Sequence, residues 1–362
     1  MKRIAILVLC ILIVSTMVFA AGQKDSATSG GKVVIGALIR NLDEQFLADY
    51  TANIRKLAES KGVELKVLDS RSDQAAQLDQ LNMLLTQGVR HFIIIPNQTE
   101  ATEQMTRAIQ EKGGTAVFSN TSPSADALKV SKNFFLADSA QSVAGYIQAD
   151  IIDAYFTKYP ERLSPGKTID ALLILGQLGH PAQITRSEGL EKGLAAKGYT
   201  LNVLAKDTAN WKPDEAQQKM DAWLSAFNGR FNIVITQNDG MALGAVESLL
   251  AAQYTKKDKS DGTILRVPVL GVDATEVALQ SIHEDKLYAT VLQDSMGIST
   301  TAFELAFALA TGAYKPGMVV NGIEPLDAPI ADPPANDSAV VGQCYLVPFK
   351  PVTKDNYKDF MN

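Results

Sequence analysis

Phe92-Ile93-Ile94-Ile95-Pro96 is an apolar run with no polar alternation. A strand with one face in water alternates apolar and polar residues, whereas one buried on both faces does not. The run therefore reads as a central strand of a sheet covered by helices on both sides. Working outward, residues 33–38 form a β-branched strand and residues 64–68 another. Between them, 43–60 carries helical spacing through Phe46, Leu47, Tyr50, Ile54 and Leu57, and 73–86 is the next helix. Downstream, a helix over 102–112 leads into a strand over 115–119. Alternation of strand and helix is the signature of βαβ units and a parallel sheet.

A second series follows, with strands over 169–175, 201–205, 233–235, 267–272 and 290–292. Helices over 184–197, 213–227, 241–252 and 276–283 separate them, and Pro213 sits in a first turn where its missing N–H is harmless. The expected fold is α/β, with two Rossmann-like lobes facing a cleft. Ligands of such sheets bind beyond the carboxyl ends of the strands, which directs attention to the residues just after each one.

The N-terminus reads as an export signal. Lys2 and Arg3 precede an unbroken apolar run over 4–14, and Val18-Phe19-Ala20 offers a cut after Ala20. The run is shorter than the roughly 20 apolar residues a spanning helix needs. No Cys stands at the cleavage point, and Cys10 lies inside the run, a poor position for lipidation. Residues 1–20 are thus expected to be a signal peptide and 21–32 a flexible tail rich in Gly, Ser, Lys and Thr. The remaining chain, about 340 residues, is large for one core and natural for two domains. The net charge is −6 with no Lys/Arg block, which argues against a nucleic-acid partner. Cys344 alone in the mature chain leaves no internal disulfide.

Polar planar groups and aromatics recur after the strands. Glu44 and Phe46 follow the first, Asn120 the fourth, and His180 with Arg186 the strand at 169–175. Trp211, Asn238, Asp273 and Gln293 follow the next four. Carboxylate, amide and guanidinium groups each manage two hydrogen bonds in one plane, matching vicinal hydroxyls. Aromatic faces cover the C–H faces of a pyranose, so the inventory suits a sugar. Asp43 and Asp239 read as helix caps. Trp223 reads as a partly buried helix residue, while Trp211, between Asn210 and Lys212 in a loop, is expected to be exposed for a ligand.

An enzyme is the main rival, since fold alone does not decide function. The sequence has no Gly-x-Gly-x-x-Gly after a strand, no P-loop and no Gly-x-Ser-x-Gly elbow. His91, His180 and His283 lie far apart with no metal-ligand spacing. A transcription regulator shares this architecture, but an export signal stands where its DNA-binding head would be. No enzymatic activity, cofactor or metal is expected.

Several segments carry a family resemblance: Gly179-His180-Pro181 with Arg186, Asp207-Thr208-Ala209-Asn210-Trp211, Lys219 to Ser225, Asn238-Asp239-Gly240-Met241-Ala242-Leu243-Gly244, and Gly271-Val272-Asp273-Ala274. Across nearly the whole mature chain the sequence resembles the periplasmic galactose/glucose-binding proteins, within the ribose-binding-like group. The resemblance implies a type I periplasmic binding protein with three hinge strands near Asp138, 293–295 and 345–347. One lobe would hold 33–138 with 295–345, the other 139–294 with 346–362. It implies that Phe46 and Trp211 sandwich the sugar and that Asn120, His180, Arg186, Asn238 and Asp273 hydrogen-bond it. It further implies a periplasmic, monomeric receptor that delivers a glucose- or galactose-like monosaccharide to an ABC-transporter permease. A chemoreceptor-linked sensor, or a receptor for a pentose, sugar acid or larger glycoside, is the alternative. Glu44 and Gln293 stand where the family has Asp and Asn, one methylene shorter. Ala182 stands where it has an Asp, leaving Gln183 as a substitute acceptor beside Arg186. Residues 160–168 lack the alternating carboxylates of the family's calcium loop, so no calcium is expected there.

Overall fold

A computed structural model of the chain describes residues 32–328 and 340–361. The expected signal peptide, and all but Lys32 of the expected tail, lie outside the described residues. The first half runs β1 (Val34–Ile39), α1 (Gln45–Ser60), β2 (Glu64–Asp69), α2 (Gln74–Thr86), β3 (His91–Ile94), α3 (Thr102–Glu111), β4 (Thr115–Phe118), α4 (Ala125–Lys129) and β5 (Phe134–Asp138). It continues through α5 (Gln141–Lys158), β6 (Thr168–Leu175), α6 (Pro181–Ala196), β7 (Thr200–Thr208), α7 (Pro213–Phe227), β8 (Ile233–Thr236) and α8 (Asp239–Ala251). The last elements are β9 (Val269–Leu270), α9 (Glu276–His283), β10 (Ala289–Leu292), α10 (Ser295–Ala310), β11 (Cys344–Leu346) and β12 (Lys350–Thr353).

These strands build two six-stranded sheets, in the orders β2-β1-β3-β4-β5-β11 and β7-β6-β8-β9-β10-β12. All pairings are parallel except that of β12 with β10. Pro351 has no N–H to give a ladder, and it sits in β12, at the edge of its sheet, where none is needed on the outer side. Among the described residues the chain passes between the sheets three times: from β5 into α5, from β10 into α10, and from β11 into β12.

The apolar run at β3 now has its cause. Phe92 and Ile94 pack with Leu81 and Leu84 of α2 and Met105 and Ile109 of α3. Ile93, on the opposite face, packs with Leu47 and Tyr50 of α1 and Ile298 and Phe303 of α10. Each fully buried side chain of this kind contributes about 1.5–3 kcal/mol. The second sheet repeats the plan. Leu172, Ile174 and Val234 face Met220 of α7 and Met241 and Ala245 of α8, while Leu173 and Ile235 face Ile152 and Phe156 of α5 and Leu190 of α6.

Local details differ from the sequence expectation. The strand expected over 267–272 contracts to Val269–Leu270. Beyond it the chain keeps hydrogen bonds to β10, from Gly271 N to the Ala289 carbonyl (3.0 Å) and from Asp273 N to the Val291 carbonyl (2.8 Å). Helix α6 begins at Pro181 rather than 184, because His180 caps it and Pro181 takes the first helical position. Neither expected aspartate cap is one. Glu44 occupies the N-cap of α1, and Asp43 is exposed with its N–H given to Asn41 Oδ1. Asn238, not Asp239, caps α8 by accepting from Met241 N (2.9 Å).

Candidate functional site

In both sheets the chain order reverses beside the first strand, between β1 and β3 and between β6 and β8. Crevices beyond the carboxyl ends of strands at such reversals are where open α/β sheets bind ligands. The residues after β1, β4, β6, β7, β8, β9 and β10 converge there on one cavity of about 250 Å³. All nine sequence candidates line it: Glu44, Phe46, Asn120, His180, Arg186, Trp211, Asn238, Asp273 and Gln293.

Arg186 is the most heavily engaged. Its Nε and Nη2 both donate to Gln141 Oε1 (3.1 and 2.7 Å), Nη2 also to Gln293 Oε1 (2.8 Å), and Nη1 to the Gln237 carbonyl. This placement depends on a close helix crossing. A Cβ on Gly145 of α5 would overlap the Arg186 carbonyl, and one on Gly189 of α6 would overlap the Ser142 carbonyl. The bare backbones let α5 and α6 approach until Gln141 reaches the guanidinium. The acceptors beside Arg186 are therefore Gln141, Gln293 and the Gln237 backbone. Gln183, expected in that role, instead meets Gly179 N and Ser187.

Trp211 departs from expectation in another way. It is 7 % exposed and belongs to the core of its lobe, although it sits in a loop. Its ring lies over Gly176, where a Cβ would collide with the indole. His180 meets it edge-on at 5.3 Å, and the Arg186 guanidinium stands 5.8 Å from its ring centre. Its carbonyl accepts from Asn238 Nδ2 at 3.1 Å. Asn238 thus both caps α8 and ties down Trp211. Trp223, by contrast, is half-buried against the same core, as its helical setting suggested.

His180 Nδ1 accepts from Ala182 N (3.1 Å), which leaves the proton of a neutral ring on Nε2, 3.1 Å from Thr121 Oγ1. Burial, aided by the Arg40 and Arg186 charges, holds its pKa well below the usual histidine range. Asp273 moves the other way. Burial pushes its carboxyl well above the usual range against the pull of Arg186, with Asp239 and Glu44 adding repulsion. Asp239 is buried nearby and accepts from Thr275 N (2.8 Å) and Thr290 Oγ1 (2.5 Å). Burial raises it to about 7.

Backbone strain gathers at the same place. Asn120, Trp211 and Asp273 have φ of 59°, 67° and 123°, and their neighbours Asn210 and Ala274 have 49° and 56°. Non-glycine residues reach this region at a cost, and such residues cluster at ligand sites.

Sequence reasoning left Gln141 and Gln237 out of the site and named Arg40 only, with Arg186, as a charge that a sugar acid or phosphate would meet. Arg40, at the end of β1, lines the cavity, is 4 % exposed and pairs with Glu44 Oε2 at 2.6 Å. Its position directly after a strand was a usable signal. Gln141 and Gln237 lie far from Arg186 in sequence and left none.

The profile described as periplasmic binding protein domain matches residues 35–313. The chain belongs to this family. It is 32 % identical over 316 residues to the D-galactose/methyl-galactoside binding periplasmic protein of Haemophilus influenzae, covering 86 % of this chain and 90 % of that one. It is 28 % identical to a xylitol-binding protein of Mycolicibacterium smegmatis, over 81 % of this chain and 76 % of the relative. Among solved structures, an ABC transporter solute binding protein from Bacillus halodurans with bound myo-inositol superposes with a TM-score of 0.70 at 26 % identity, covering 92 % and 98 % of the two chains. The two sheets with flanking helices are thus the two lobes of a type I periplasmic binding protein. Members of this family are binding proteins of transporters, not enzymes.

Proposed function

We propose that this chain is an exported receptor that holds a neutral monosaccharide between its lobes and delivers it to an ABC-transporter permease. One observation carries the reading. The cavity is lined by two aromatic rings, Phe46 and Trp211, and by planar amide, carboxyl and guanidinium groups on Asn120, Asn238, Gln293, Asp273 and Arg186, which match the C–H faces and vicinal hydroxyls of a sugar. The neighbours' names agree, since galactoside, xylitol and inositol are all uncharged polyhydroxyl compounds.

In this reading Phe46 from one lobe and Trp211 from the other cover the C–H faces of the ring. Asn120, Asp273 and Asn238 meet hydroxyls, and Arg186 offers its remaining N–H. Gln293 and Glu44, each longer by a methylene than the amide and acid of the galactose/glucose pattern, shift the hydroxyl pattern read. The export signal read at residues 1–20 supports a place outside the cytoplasmic membrane. A chemoreceptor that reads the same ligand-bound form is a second partner of this kind.

Mass spectrometry of the small molecule released on denaturing the purified, exported protein tests the proposal. A neutral hexose, pentose or cyclic polyol supports it. An amino acid, peptide or phosphorylated compound in stoichiometric amount refutes it.

A further inference from the structure

The amino ends of β6, β8 and β9 lie at the far end of their sheet from the cleft, and an open pocket of about 530 Å³ is built on them. Ser164 and Asp170 reach it from the start of β6, Asn232 from the residue before β8, and Arg266 from the approach to β9. Arg162, Arg230 and Lys256 complete its charged wall. Four cations thus stand against two carboxylates, Asp170 in the lining and Asp261 behind it. That is an excess of two positive charges on a chain whose net charge is −6. Glu161, 3.8 Å from Arg162 Nε, is exposed and lies outside the lining.

The four cations are not equally engaged. Buried Asp261 accepts from both Arg162 and Lys256, and Arg162 also donates to Tyr155 Oη. Asp170 accepts from Ser164 Oγ and Asn202 Nδ2. Among the described residues, Arg230 and Arg266 have no carboxylate partner. Both are exposed, yet both are held. Arg230 stands 4.9 Å from the Phe227 ring centre and gives Nη2 to the Ala226 carbonyl. Arg266 stands 5.1 Å from the Tyr254 ring centre and gives Nε to the Thr255 carbonyl (3.2 Å). Tyr254 is itself fixed by stacking on Phe231, at 5.3 Å and 17°. A guanidinium laid on an aromatic ring has its face covered and its edge N–H groups free. Arg230 keeps Nε and Nη1, and Arg266 keeps both Nη groups.

Asn232 supplies the opposite polarity. Its Nδ2 donates to the Arg162 carbonyl (3.1 Å), and its Oδ1 is buried with no hydrogen-bond partner. A buried acceptor left unmet is costly, and a ligand O–H answers it.

We propose that this pocket is a second ligand site, for a small phosphate monoester that also carries a hydroxyl. Such a phosphate bears about −1.5 to −2 charges at neutral pH, which matches the excess in the wall. Its oxygens accept from the free edges of Arg230 and Arg266, the geometry in which guanidinium groups bind phosphate. Its hydroxyl donates to Asn232 Oδ1. No residue lines both this pocket and the cleft, so the two ligands do not compete for side chains.

The test is calorimetric titration of the purified protein with sn-glycerol 3-phosphate, with glycerol as the neutral control. Wild type is compared with the double variants Arg230→Gln/Arg266→Gln and Arg230→Lys/Arg266→Lys. Wild type should bind the phosphate saturably, and less tightly as salt rises, because the contact is between charges. The glutamine variant should bind it about tenfold or more weakly, since charge-assisted hydrogen bonds are lost. The lysine variant should fall between, keeping charge without the fork. Melting temperatures should agree within about 3 °C, as both arginines are exposed. A phosphate compound held in the cleft would bind the glutamine variant as it binds wild type, which would overturn the proposal. So would the absence of saturable binding to wild type, or equal binding of glycerol. Vesicles of phosphatidylglycerol and of phosphatidylcholine form the last arm. Attachment to the former by a protein that ignores free glycerol phosphate would make the patch a membrane contact and overturn the proposal.

Discussion

The six-membered ring of the Trp211 indole lies over the bare Cα of Gly176. Gly176 follows the last residue of β6 and gives its N–H to Gln237 Oε1 (2.9 Å), while its carbonyl accepts from Thr208 Oγ1 (2.7 Å). The glycine is fixed by hydrogen bonds on both sides, so an added methyl has no room to retreat. Gly176→Ala should therefore move Trp211 rather than the strand, weakening sugar affinity by about tenfold while the protein stays folded. Titration and thermal melts of the same sample check this. Unchanged affinity would mean that the indole position does not matter to the ligand.

Trp211→Ala should cost more on both counts. A central buried aromatic in a binding site is commonly worth about 2 kcal/mol or more, which predicts affinity lower by well over an order of magnitude. Stability should fall too, because Trp211 is part of its lobe's core and large-to-small core changes cost about 3–5 kcal/mol. Trp211→Phe should recover most of the stability and part of the affinity. Affinity equal to wild type in a folded Trp211→Ala protein would remove the aromatic cover from the site.

Much of this was legible along the chain, and the limits have physical causes. The run at β3 revealed its sheet because both faces carry helices. The nine site candidates followed from the rule about strand ends together with the family resemblance, and all of them line one cavity. Helices α5 and α10 were missed because they bury apolar residues on several sides, such as Ile298, Phe303, Leu305 and Ala306 of α10, which blurs the amphipathic period. The partners of Arg186 were invisible because Gln141, Gln237 and Gln293 meet only through the closed fold. Trp211 misled because a loop residue is ordinarily exposed, and only the glycine beneath it allows burial.

Asp138 lies at the first passage between lobes, fully buried, with Oδ1 accepting from Gln141 Nε2 (3.2 Å) and Oδ2 without a partner. Burial raises its pKa from 3.8 to about 7. The folded state thus holds this proton more tightly than the unfolded chain, and stability from this group falls as pH rises from about 4 to 7. Asp138→Asn keeps the acceptor and removes the charge. Its melting temperature should exceed that of wild type at pH 8 and approach it at pH 4.5. A difference independent of pH would show that the carboxyl does not titrate in that window.

His180 should be silent where an ordinary histidine titrates. Its Nδ1 serves Ala182 N as an acceptor, and both nearby arginines oppose a second proton. Lowered below the unfolded value of about 6.5, it favours the folded state above that pH and loses this contribution as pH falls. The ring proton resonances of His180 in an NMR titration should not move between pH 8 and 6. A shift of those resonances with a midpoint near 6.5 would show that His180 gains a proton within the site.

The neutral-sugar reading is tested most directly by one titration. Calorimetry of the purified protein against D-galactose, D-glucose, D-allose, L-arabinose and myo-inositol, at low and at moderate salt, reads ligand class and charge together. The expected result is saturable binding of at least one of these neutral compounds, with an affinity that changes less than about threefold with salt, since screening acts on net charge. Binding confined to galacturonate or a sugar phosphate, weakening about tenfold as salt rises, would contradict it.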